Sequence, residues 1–334
     1  MKPHINVGVF GYGTIGKRVA DAVLLQPDMN LVGVTANSYN FKIKTAHEKG
    51  ISIFSDIEGF VHVEHGLRVA GSVDDLISKS DVIVDCTPKG AAERNTSRYK
   101  KYNTKAIFQG GEPSSCGKSF VSQCNYEDCA GHEFIRVVSC NTTGLCRTLD
   151  ALHWKYGVDK VHATMIRRAA DPWDIYHGPV NALVPHLIVP SHHGPDVRTV
   201  LKDMEIFTTS ISVPTTLMHL HSITVDLNKK PSVDGVVGLF DASTRVRVVK
   251  NSDGIRSTAE IMEYAKDLGN SRGDMPEVCV WEETMGVWGN KLLYIQAVHQ
   301  ESDVVPENID AIRCLMGTSS SASIELTNKT LGLF

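Results

Sequence analysis

Short apolar runs alternate with helix-like segments along the first third of the chain. Four runs have the length and composition of fully buried strands: INVGVF (5–10), LVGVTA (31–36), DVIVDCT (81–87) and KAIFQG (105–110). The segment KRVADAVLL, after the first run, repeats its apolar residues at helical spacing. Because strands that alternate with helices are joined by right-handed crossovers, this pattern predicts an α/β fold with a doubly wound parallel sheet.

The pattern changes after FIRVVSC (134–140), where long strand-like runs replace the alternation. They include VDKVHATMIRRA, IFTTSISVP, TLMHLHSITVDL, EVCVWEETM and KLLYIQAV, and turn signals such as GVWGN join several of them. These runs predict an α+β domain with a mainly antiparallel sheet. Since 334 residues exceed one ordinary core, we divide the chain into domains at 1–138 and 139–303, with a helical segment 304–334 that packs back on the first domain.

Composition and charge argue against several classes of protein. Hydrophobic residues make up 42% and charged residues 22% of the chain, which is typical of a globular protein. No apolar run reaches the roughly 18 residues of a membrane span, and the N-terminus has no signal-peptide pattern. The net charge of −4 gives no electrostatic reason for nucleic-acid binding. We therefore expect a cytoplasmic protein that binds neither membrane nor nucleic acid.

The segment GYGTIG follows the first strand and opens a helix. Gly11, Gly13 and Gly16 fit the G-x-G-x-x-G pattern of a dinucleotide-binding loop. In that pattern the first glycine permits a tight turn, the second lets the backbone approach a pyrophosphate, and the third lets the helix lie close to the strand. The helix N-terminus supplies N–H groups and partial positive charge to the phosphates. A bare tight turn is the alternative, but the strand-loop-helix context favours nucleotide binding.

The end of the second strand carries no acidic residue. An NAD-selective site usually places Asp or Glu there, to bind the ribose 2′-hydroxyl. Asp28 precedes the strand and is badly placed for that role. The residues at the expected position are Ala36, Asn37 and Ser38, with Lys42 and Lys44 beyond them. Without a carboxylate to repel it, a 2′-phosphate should be tolerated, so we expect NADP or NAD as cofactor, with dual use.

The eight cysteines are scattered along the chain. They lie at positions 86, 116, 124, 129, 140, 146, 279 and 314, and no Cys-x-x-Cys pair occurs. In a chain without an export signal a disulfide framework is not expected, and the spacing weakens zinc-ribbon and thioredoxin-like interpretations. Most of these thiols should therefore be small apolar packing residues.

Two of the thiols stand in VSCNTTGLCR, at the junction of a buried strand and a helix. Cys140 ends the strand and directly precedes the helix, where the N-terminal dipole should lower a thiol pKa. Cys146 falls a turn or more into the helix, where no such benefit exists. Their separation suits neither a disulfide nor a metal chelate. Cys140 is thus the candidate nucleophile and Cys146 a packing residue, although these residues alone leave a packing role open for Cys140 as well.

The segment SCNTTGLCR resembles the active-site segment of glyceraldehyde-3-phosphate dehydrogenases. Further segments resemble the archaeal-type branch of that family: GYGTIGKRVADAV, IFQGGE, IRRAADP, TTLMHLHS and AVHQESDVVPENIDAIR. Together they extend through residue 313 and span essentially the whole chain. The resemblance implies a Rossmann domain over 1–138 that binds a nicotinamide dinucleotide, a catalytic domain over 139–303, and a cytoplasmic homotetramer.

The resemblance also implies a reaction, the oxidation of D-glyceraldehyde 3-phosphate to 1,3-bisphosphoglycerate in glycolysis or gluconeogenesis. Cys140 attacks the aldehyde, His219 acts as general base, and inorganic phosphate releases the resulting acyl-thioester. A His219 imidazolium would also keep Cys140 ionised. Matched residue by residue, the substrate contacts are Ser139, Asn141, His192 and His193, and the cofactor contacts are Gly11, Gly13, Thr14, Ile15, Gly16, Gly111, Arg168 and Gln300. No metal is implied.

Several choices stay open on the residues alone. His219 and His221 share one face of a strand, so spacing does not choose the base between them. Arg167 and Arg168 should point to opposite faces, so only one should meet an anion. The segment SHHG by itself would suggest a metal site, but no third ligand is evident.

Two other functions fit the glycine loop and the thiol. A thiol-dependent semialdehyde dehydrogenase, of the aspartate-semialdehyde or N-acetyl-glutamyl-phosphate kind, shares the Rossmann domain and the cysteine but lacks the SCNTTGLCR neighbourhood. A nucleotide-binding sensor without turnover is the alternative from a different class. Alkylation of Cys140 with no activity to lose would indicate such a sensor.

Overall fold

The structure is a computed structural model, and it describes residues 4–57, 66–109, 111–173 and 178–333. The chain divides into two compact units. The first contains Met1–Ser139 together with Val305–Gly332, and the second contains Cys140–Val304. Two long, separate parts of the chain therefore build the first unit, whereas the continuous part Cys140–Val304 makes up almost all of the second.

A seven-stranded sheet forms the centre of the first unit. Its strands are β1 (Ile5–Phe10), β2 (Met29–Thr35), β3 (Ile53–Phe54), β4 (Val82–Asp85), β5 (Lys105–Phe108), β6 (Lys118–Phe120) and β7 (Phe134–Val137). They lie in the order β3-β2-β1-β4-β5-β7-β6, and every pairing within the described ranges is parallel. Strands β4 and β5 are buried along almost their whole length, which is why their sequences are uninterrupted apolar runs. The predicted doubly wound parallel sheet is confirmed.

Helices connect the strands of this sheet, and the loops between them are fixed by local contacts. The helices are α1 (Thr14–Leu24), α2 (Phe41–Glu48), α3 (Val73–Ser78), α4 (Ala92–Lys101) and α5 (Ser122–Cys129). Gly16 lets α1 lie close to the loop before it, since a Cβ atom there would lie 1.9 Å from the carbonyl oxygen of Gly11. The side chain of Asn40 accepts hydrogen bonds from the backbone N–H groups of Lys42 and Ile43, and so caps α2. Both contacts shape the edge of the sheet where β1 and β2 end.

A mixed sheet of eight strands forms the second unit. Its strands are β8 (Val158–Arg168), β9 (Val184–Pro185), β10 (Ile206–Val213), β11 (His219–Leu227), β12 (Val246–Val249), β13 (Val278–Trp281), β14 (Gly286–Trp288) and β15 (Lys291–Val298). Their order is β12-β13-β15-β11-β8-β10-β9, with β14 paired to β15. Most pairings are antiparallel, as predicted, but β8 pairs with β10, and β12 with β13, in parallel. A parallel pair needs a long connection, and the segments 169–205 and 250–277 supply one each.

The helices of the second unit include the long segment after the candidate nucleophile. They are α6 (Cys140–Tyr156), α7 (His193–Val197), α8 (Val233–Asp241) and α9 (Thr258–Asp267). Helix α6 lies close to β15 because Gly144 has no side chain: a Cβ atom there would lie 2.5 Å from Cγ2 of Val298. Nowhere in the described ranges does a helix combine the length and the apolar character that a membrane span requires.

The last two helices complete the first unit. They are α10 (Val305–Leu315) and α11 (Ser320–Leu331), and α10 packs against α1 and α5. The fully buried guanidinium of Arg313 donates to the carboxylate of Asp28 at 2.9 and 2.7 Å, to Gln26 at 2.8 Å and to Thr327 at 2.6 Å. Burial alone would raise the pKa of Asp28, but the guanidinium of Arg313 outweighs burial and holds that pKa below its ordinary value. Both carboxylate oxygens of Asp28 therefore accept hydrogen bonds within this ion pair.

Candidate active site

The glycine loop borders a cleft of about 290 Å³ in the first unit. Gly11 has a φ of +96°, and its N–H donates to the hydroxyl of Thr35 at 2.8 Å, which ties the end of β1 to the end of β2. No atom lies within 4 Å of the place where a Cβ of Gly13 would stand, so the backbone there is open to the cleft. Thr14 and Ile15 are the first residues of α1, at the helix end that attracts anions. The loop therefore suits the pyrophosphate of a dinucleotide.

The wall of the same cleft is polar but not acidic. Asn37, Ser38, Asn40 and Lys42 line it, and no Asp or Glu is among the lining residues within the described ranges. Asp28, the acidic residue considered from the sequence, is held in the ion pair described above. The described lining therefore offers no carboxylate of the kind that binds a ribose 2′-hydroxyl in NAD-selective sites.

Gly111 lies at the same edge of the sheet, in the loop that follows β5. It has a φ of +74°, a backbone conformation that glycine adopts easily. The carboxylate of the next residue, Glu112, accepts hydrogen bonds from the backbone N–H groups of Gly90 at 2.7 Å and Ala92 at 3.2 Å. This carboxylate fixes the loops after β4 and β5 relative to each other, and with them the position of Gly111.

Cys140 is the first residue of α6, and it is only partly accessible; Ser139 directly precedes it. The predicted lowering of its pKa is wrong. Burial raises the pKa of the Cys140 thiol to about 12, and the carboxylate of Asp303 acts in the same direction. Two arginines and the backbone N–H of Asn141 oppose this rise without cancelling it. These surroundings therefore favour the protonated thiol, whereas Cys146 is fully buried inside the helix and serves as packing.

His219 begins β11, and its ring is buried. Its Nδ1 accepts a hydrogen bond from the backbone N–H of Arg168 at 3.0 Å, so the proton of the neutral ring lies on Nε2. Burial lowers the pKa of His219 well below its ordinary value, and the charges of Arg167 and Arg168 lower it further. The ring is uncharged at neutral pH. The predicted imidazolium that would keep Cys140 ionised is therefore wrong.

The two arginines that end β8 play different parts. The guanidinium of Arg168 forms an ion pair with Asp171 at 2.5 Å, while its backbone N–H binds His219. Arg167 lies on the face of β8 that carries the buried positions of the strand. After burial, its charge is the next cause of the lowered pKa of His219, and it acts on His193 as well. Arg167 is thus the arginine that faces these polar side chains.

His192 and His193 lie where α7 begins. Their ring centroids are 4.0 Å apart, and Nδ1 of His193 lies 3.1 Å from the hydroxyl oxygen of Ser191. Burial lowers the pKa of His193 to about 2, with a further contribution from His192. The hydroxyl of Thr142 donates to the carboxylate of Asp196 at 2.6 Å and so holds α7 against the start of α6. The structure therefore brings this histidine pair to the helix that begins with the thiol.

His221 lies on the same face of β11 as His219, but its surroundings differ. Its Nε2 is 2.9 Å from Oδ1 of Asn141, and its Nδ1 is 3.1 Å from Nε2 of Gln296. Burial lowers the pKa of His221 to about 3. Because both ring nitrogens of His221 already have hydrogen-bond partners, His221 is a poorer candidate than His219 for an acid-base group that contacts a substrate.

Gln300 follows β15, and its side chain is almost entirely buried. Within the described ranges neither its amide oxygen nor its amide nitrogen has a hydrogen-bond partner. An unsatisfied buried amide costs about 1–3 kcal/mol, so its polar atoms are suited to a ligand. This observation fits the cofactor contact that the resemblance implies for Gln300.

One cluster of side chains in the described part of the chain has the composition of a metal site. Asp274, His299 and Glu301 bring potential ligand atoms within 4.8 Å of one another. Nδ1 of His299 already lies 2.6 Å from the hydroxyl oxygen of Ser302. The two histidines of SHHG do not belong to this cluster.

Sequence reasoning missed the partners of His221 and the contact that holds α7. Asn141 and Gln296 are far apart in the chain, and so are Thr142 and Asp196; no local pattern pairs them. One signal was present for Gln296, which is a polar residue inside the apolar run KLLYIQAV. A buried amide in a strand needs hydrogen-bond partners, and so marks a polar network.

Comparisons with known proteins bear on both units. Residues 139–286 match the family described as glyceraldehyde 3-phosphate dehydrogenase, C-terminal domain, and residues 5–110 match that described as dihydrodipicolinate reductase, N-terminus. The chain is 50% identical to a glyceraldehyde-3-phosphate dehydrogenase of Methanococcoides burtonii, over 98% of this chain and 99% of the relative. It is 48% identical to that of Methanothermus fervidus, over 98% of each chain. For the enzyme of Pyrococcus furiosus the identity is 50%, over 98% of this chain and 99% of the relative.

These matches confirm the resemblance to the archaeal-type branch, and they extend over both units. They also support a nicotinamide cofactor in the first unit. Since about half of all positions are identical along nearly the full length, this chain belongs to the glyceraldehyde-3-phosphate dehydrogenase family of oxidoreductases.

Proposed function

We propose that this protein catalyses the phosphorylating oxidation of D-glyceraldehyde 3-phosphate to 1,3-bisphosphoglycerate, in cytoplasmic glycolysis or gluconeogenesis. One observation carries the proposal, the grouping of three side chains. The surroundings of Cys140 favour its protonated thiol, the imidazole of His219 is uncharged, and the positive charge of Arg167 acts on both groups. All eight cysteines are free thiols, which fits a reducing compartment. We also propose three domains, 1–138, 139–303 and 304–334. The first binds the cofactor, and the second carries the thiol.

In the proposed reaction the sulfur of Cys140 bonds to the aldehyde carbon and gives a thiohemiacetal. Loss of hydride from that carbon and of the proton from its hydroxyl oxygen leaves an acyl-thioester; a nicotinamide cofactor held by the glycine loop would supply the hydride acceptor. Inorganic phosphate then attacks the acyl carbon, so 1,3-bisphosphoglycerate leaves and the thiol is restored. The limited accessibility of Cys140 helps to exclude water from the thioester, which would otherwise be hydrolysed to a free acid.

His219 is assigned to the substrate oxygen, which it would meet through Nε2. An uncharged ring is what a general base requires, and burial provides it. The hydrogen bond from Arg168 to Nδ1 nevertheless leaves the ring proton on Nε2. In that tautomer His219 can donate a hydrogen bond to the oxyanion of the thiohemiacetal; as general base it must first free Nε2, which requires the bond from Arg168 to break. The two roles predict different behaviour of a glutamine variant, described in the Discussion.

The phosphate groups of the two substrates are assigned to the surroundings of Arg167. A guanidinium binds phosphate oxygens through charge-assisted hydrogen bonds. His192 and His193, with Ser139 and Asn141 beside the thiol, are the further proposed contacts. The lowered pKa of His193 means that its ring would contact an anion as a neutral hydrogen-bond donor and not as a cation.

The described residues fit a nicotinamide dinucleotide. The open backbone at Gly13 and the start of α1 suit its pyrophosphate, with Gly11, Thr14, Ile15, Gly16 and Gly111 as the proposed contacts at this edge. The buried amide of Gln300 offers a donor and an acceptor. Arg168 is the weakest member of this set, because its guanidinium is held by Asp171.

NADP is expected to be used at least as well as NAD. No carboxylate lines the described wall of the cleft, and Lys42 offers a positive charge to a 2′-phosphate. The measurement is kcat/KM for both cofactors. A preference for NAD of more than about a hundredfold, or about 2.7 kcal/mol, would contradict the expectation. Lys42→Glu should shift the ratio towards NAD, whereas Lys44→Glu, outside the cleft lining, should leave it unchanged.

An exposed apolar segment in the second unit supports the homotetramer that the resemblance implies. Large apolar side chains between residues 180 and 189 are largely exposed: Val180, Leu183, Val184, Leu187, Ile188 and Val189. Strand β9 in this segment pairs with β10 at the end of the sheet order. Large exposed apolar patches mark interaction sites. We infer that another copy of the chain covers this segment.

Replacing Leu187 and Ile188 together by aspartate should therefore reduce the homotetramer to smaller species, because unpaired charges are costly to bury in an interface. Size-exclusion chromatography with light scattering measures the mass. Leu268→Asp, at another exposed apolar position, should keep the wild-type mass. A monomeric wild-type protein, or a double variant of unchanged mass, would show that the segment is not an interface.

A steady-state assay with phosphate varied tests the proposed function as a whole. Oxidation of glyceraldehyde 3-phosphate that depends on phosphate would support it. Turnover of aspartate semialdehyde or N-acetyl-glutamyl semialdehyde in its place would assign the chain to the other thiol-dependent dehydrogenases. Complete alkylation of Cys140 in a protein without any turnover would indicate a nucleotide sensor.

A further inference from the structure

Buried polar side chains in the second unit form a hydrogen-bonded series that ends at the candidate nucleophile. All of them before the sulfur are at most 2% exposed. From the far end, the members are Tyr294, Thr148, Gln296, His221, Asn141 and Cys140. Buried polar groups are costly unless each of them forms hydrogen bonds. The donor and the acceptor of each hydrogen bond in the series can therefore be identified in turn.

The carbonyl oxygen of Gly144 determines which atoms donate and which accept along the whole series. It can only accept, and it lies 2.9 Å from Nε2 of Gln296, so the nitrogen end of that amide faces the helix. The same nitrogen lies 3.1 Å from Nδ1 of His221 and must donate there too. On its other side, the amide oxygen of Gln296 accepts from the hydroxyl of Thr148 at 2.9 Å, and that hydroxyl accepts from Tyr294 at 3.0 Å.

The direction passes through His221 to Asn141. Because Nδ1 of His221 accepts, the ring proton lies on Nε2, which donates to Oδ1 of Asn141 at 2.9 Å. The amide nitrogen of Asn141 is then turned towards the sulfur of Cys140, and the two atoms are 3.9 Å apart. The amide could not turn over without placing its NH₂ group against the N–H of His221.

We propose that the Asn141 amide is a catalytic hydrogen-bond donor to the Cys140 sulfur, and that His221 and Gln296 are positioning residues that hold it in this orientation. A thiolate is a far better acceptor than a thiol, so a fixed donor favours the ionised nucleophile. Burial opposes ionisation at this site, and the series partly offsets that effect. The proposal rests on the proposed function only in taking Cys140 as the nucleophile.

Alkylation of Cys140 by iodoacetamide tests the proposal without any substrate. The rate is followed by mass spectrometry of the Cys140 peptide between pH 7 and 10. Asn141→Ala removes the donor, and His221→Asn removes the group at Nε2 that orients it. Both variants should label about tenfold more slowly than the wild type at pH 8, which corresponds to one unit of thiol pKa. His221→Asn should lower kcat by a similar factor with little change in KM.

His221→Gln is the conservative rescue, because its amide nitrogen takes the place of Nε2 and can still donate to Asn141. It should label within about threefold of the wild type. Ile223→Ala is the matched control: Ile223 is the next buried residue on the same face of β11, outside the series. It should lower the melting temperature and leave the labelling rate unchanged.

Two results would overturn the proposal. In one, His221→Asn and Ile223→Ala lower the melting temperature alike and both label at the wild-type rate, so that the series is only structural. In the other, His221→Gln labels as slowly as His221→Asn, so that the donor at Nε2 is not what matters. A protein that shows the expected labelling pattern but does not oxidise glyceraldehyde 3-phosphate would refute the proposed function and support this assignment.

Discussion

Cys140→Ser is expected to abolish aldehyde oxidation, with a fall in kcat on the order of 10⁴-fold or more. A serine hydroxyl at neutral pH is a much weaker nucleophile than a thiol, and it would form an ester instead of the thioester that phosphate has to cleave. The substitution is small and the position is partly accessible, so the melting temperature should stay close to that of the wild type. Steady-state kinetics and thermal unfolding measure the two effects.

Cys146→Ala is the matched control for this prediction. Cys146 is fully buried inside α6, where its sulfur contributes packing and no chemistry. Its loss should cost about 1 kcal/mol of unfolding free energy, and kcat should stay within about twofold of the wild type. An inactive Cys146→Ala enzyme beside an active Cys140→Ser enzyme would show that the assignment of the nucleophile to Cys140 is wrong.

His219→Asn is expected to lower kcat by at least about 10²-fold, within the range for removal of an acid-base group. The asparagine oxygen can still accept the hydrogen bond from the backbone N–H of Arg168, but no atom remains at the place of Nε2. The rate of Cys140 alkylation should not change, because the His219 ring is uncharged in the wild type. A normal kcat in this variant, together with a dead His221→Asn enzyme, would reverse the assignment of the two histidines.

His219→Gln separates the two roles open to this ring. A glutamine nitrogen at the place of Nε2 can donate a hydrogen bond, but the amide cannot take up a proton. If His219 stabilises an oxyanion, His219→Gln should recover at least about tenfold of the activity that His219→Asn loses. If His219 is the general base, both variants should be equally inactive at every pH.

Much of the fold could be predicted because it depends on short-range patterns. Buried parallel strands are uninterrupted apolar runs, and three glycines at fixed spacing mark the loop after β1. The parallel pairing of β8 with β10 could not be predicted in this way. It depends on the path taken by the segment 169–205 between the two strands, and no local sequence pattern specifies that path.

The members of the candidate site could be proposed from the sequence, but their electrostatics could not be predicted. The motif around Cys140 indicated the nucleophile, and the helix start suggested a lowered thiol pKa. That inference used one local dipole, whereas burial by elements distant in the sequence raises the pKa of the thiol and keeps His219 uncharged. The orientation of Asn141 was equally hidden, because it is set through His221 by Gln296, and almost the whole length of the second unit separates Gln296 from Asn141 along the chain.

The division of the first unit between the two ends of the chain has a consequence for biosynthesis. Domains usually fold in order as the ribosome releases them, starting from the N-terminus. Here the nucleotide-binding unit lacks α10 and α11, and with them the buried Arg313, until the residues after Val304 have been synthesised. The part Cys140–Val304, which makes up almost all of the second unit, is released before those helices, so it can fold before the first unit is complete. Until then, the surfaces of α1 and α5 that α10 covers in the folded protein remain exposed.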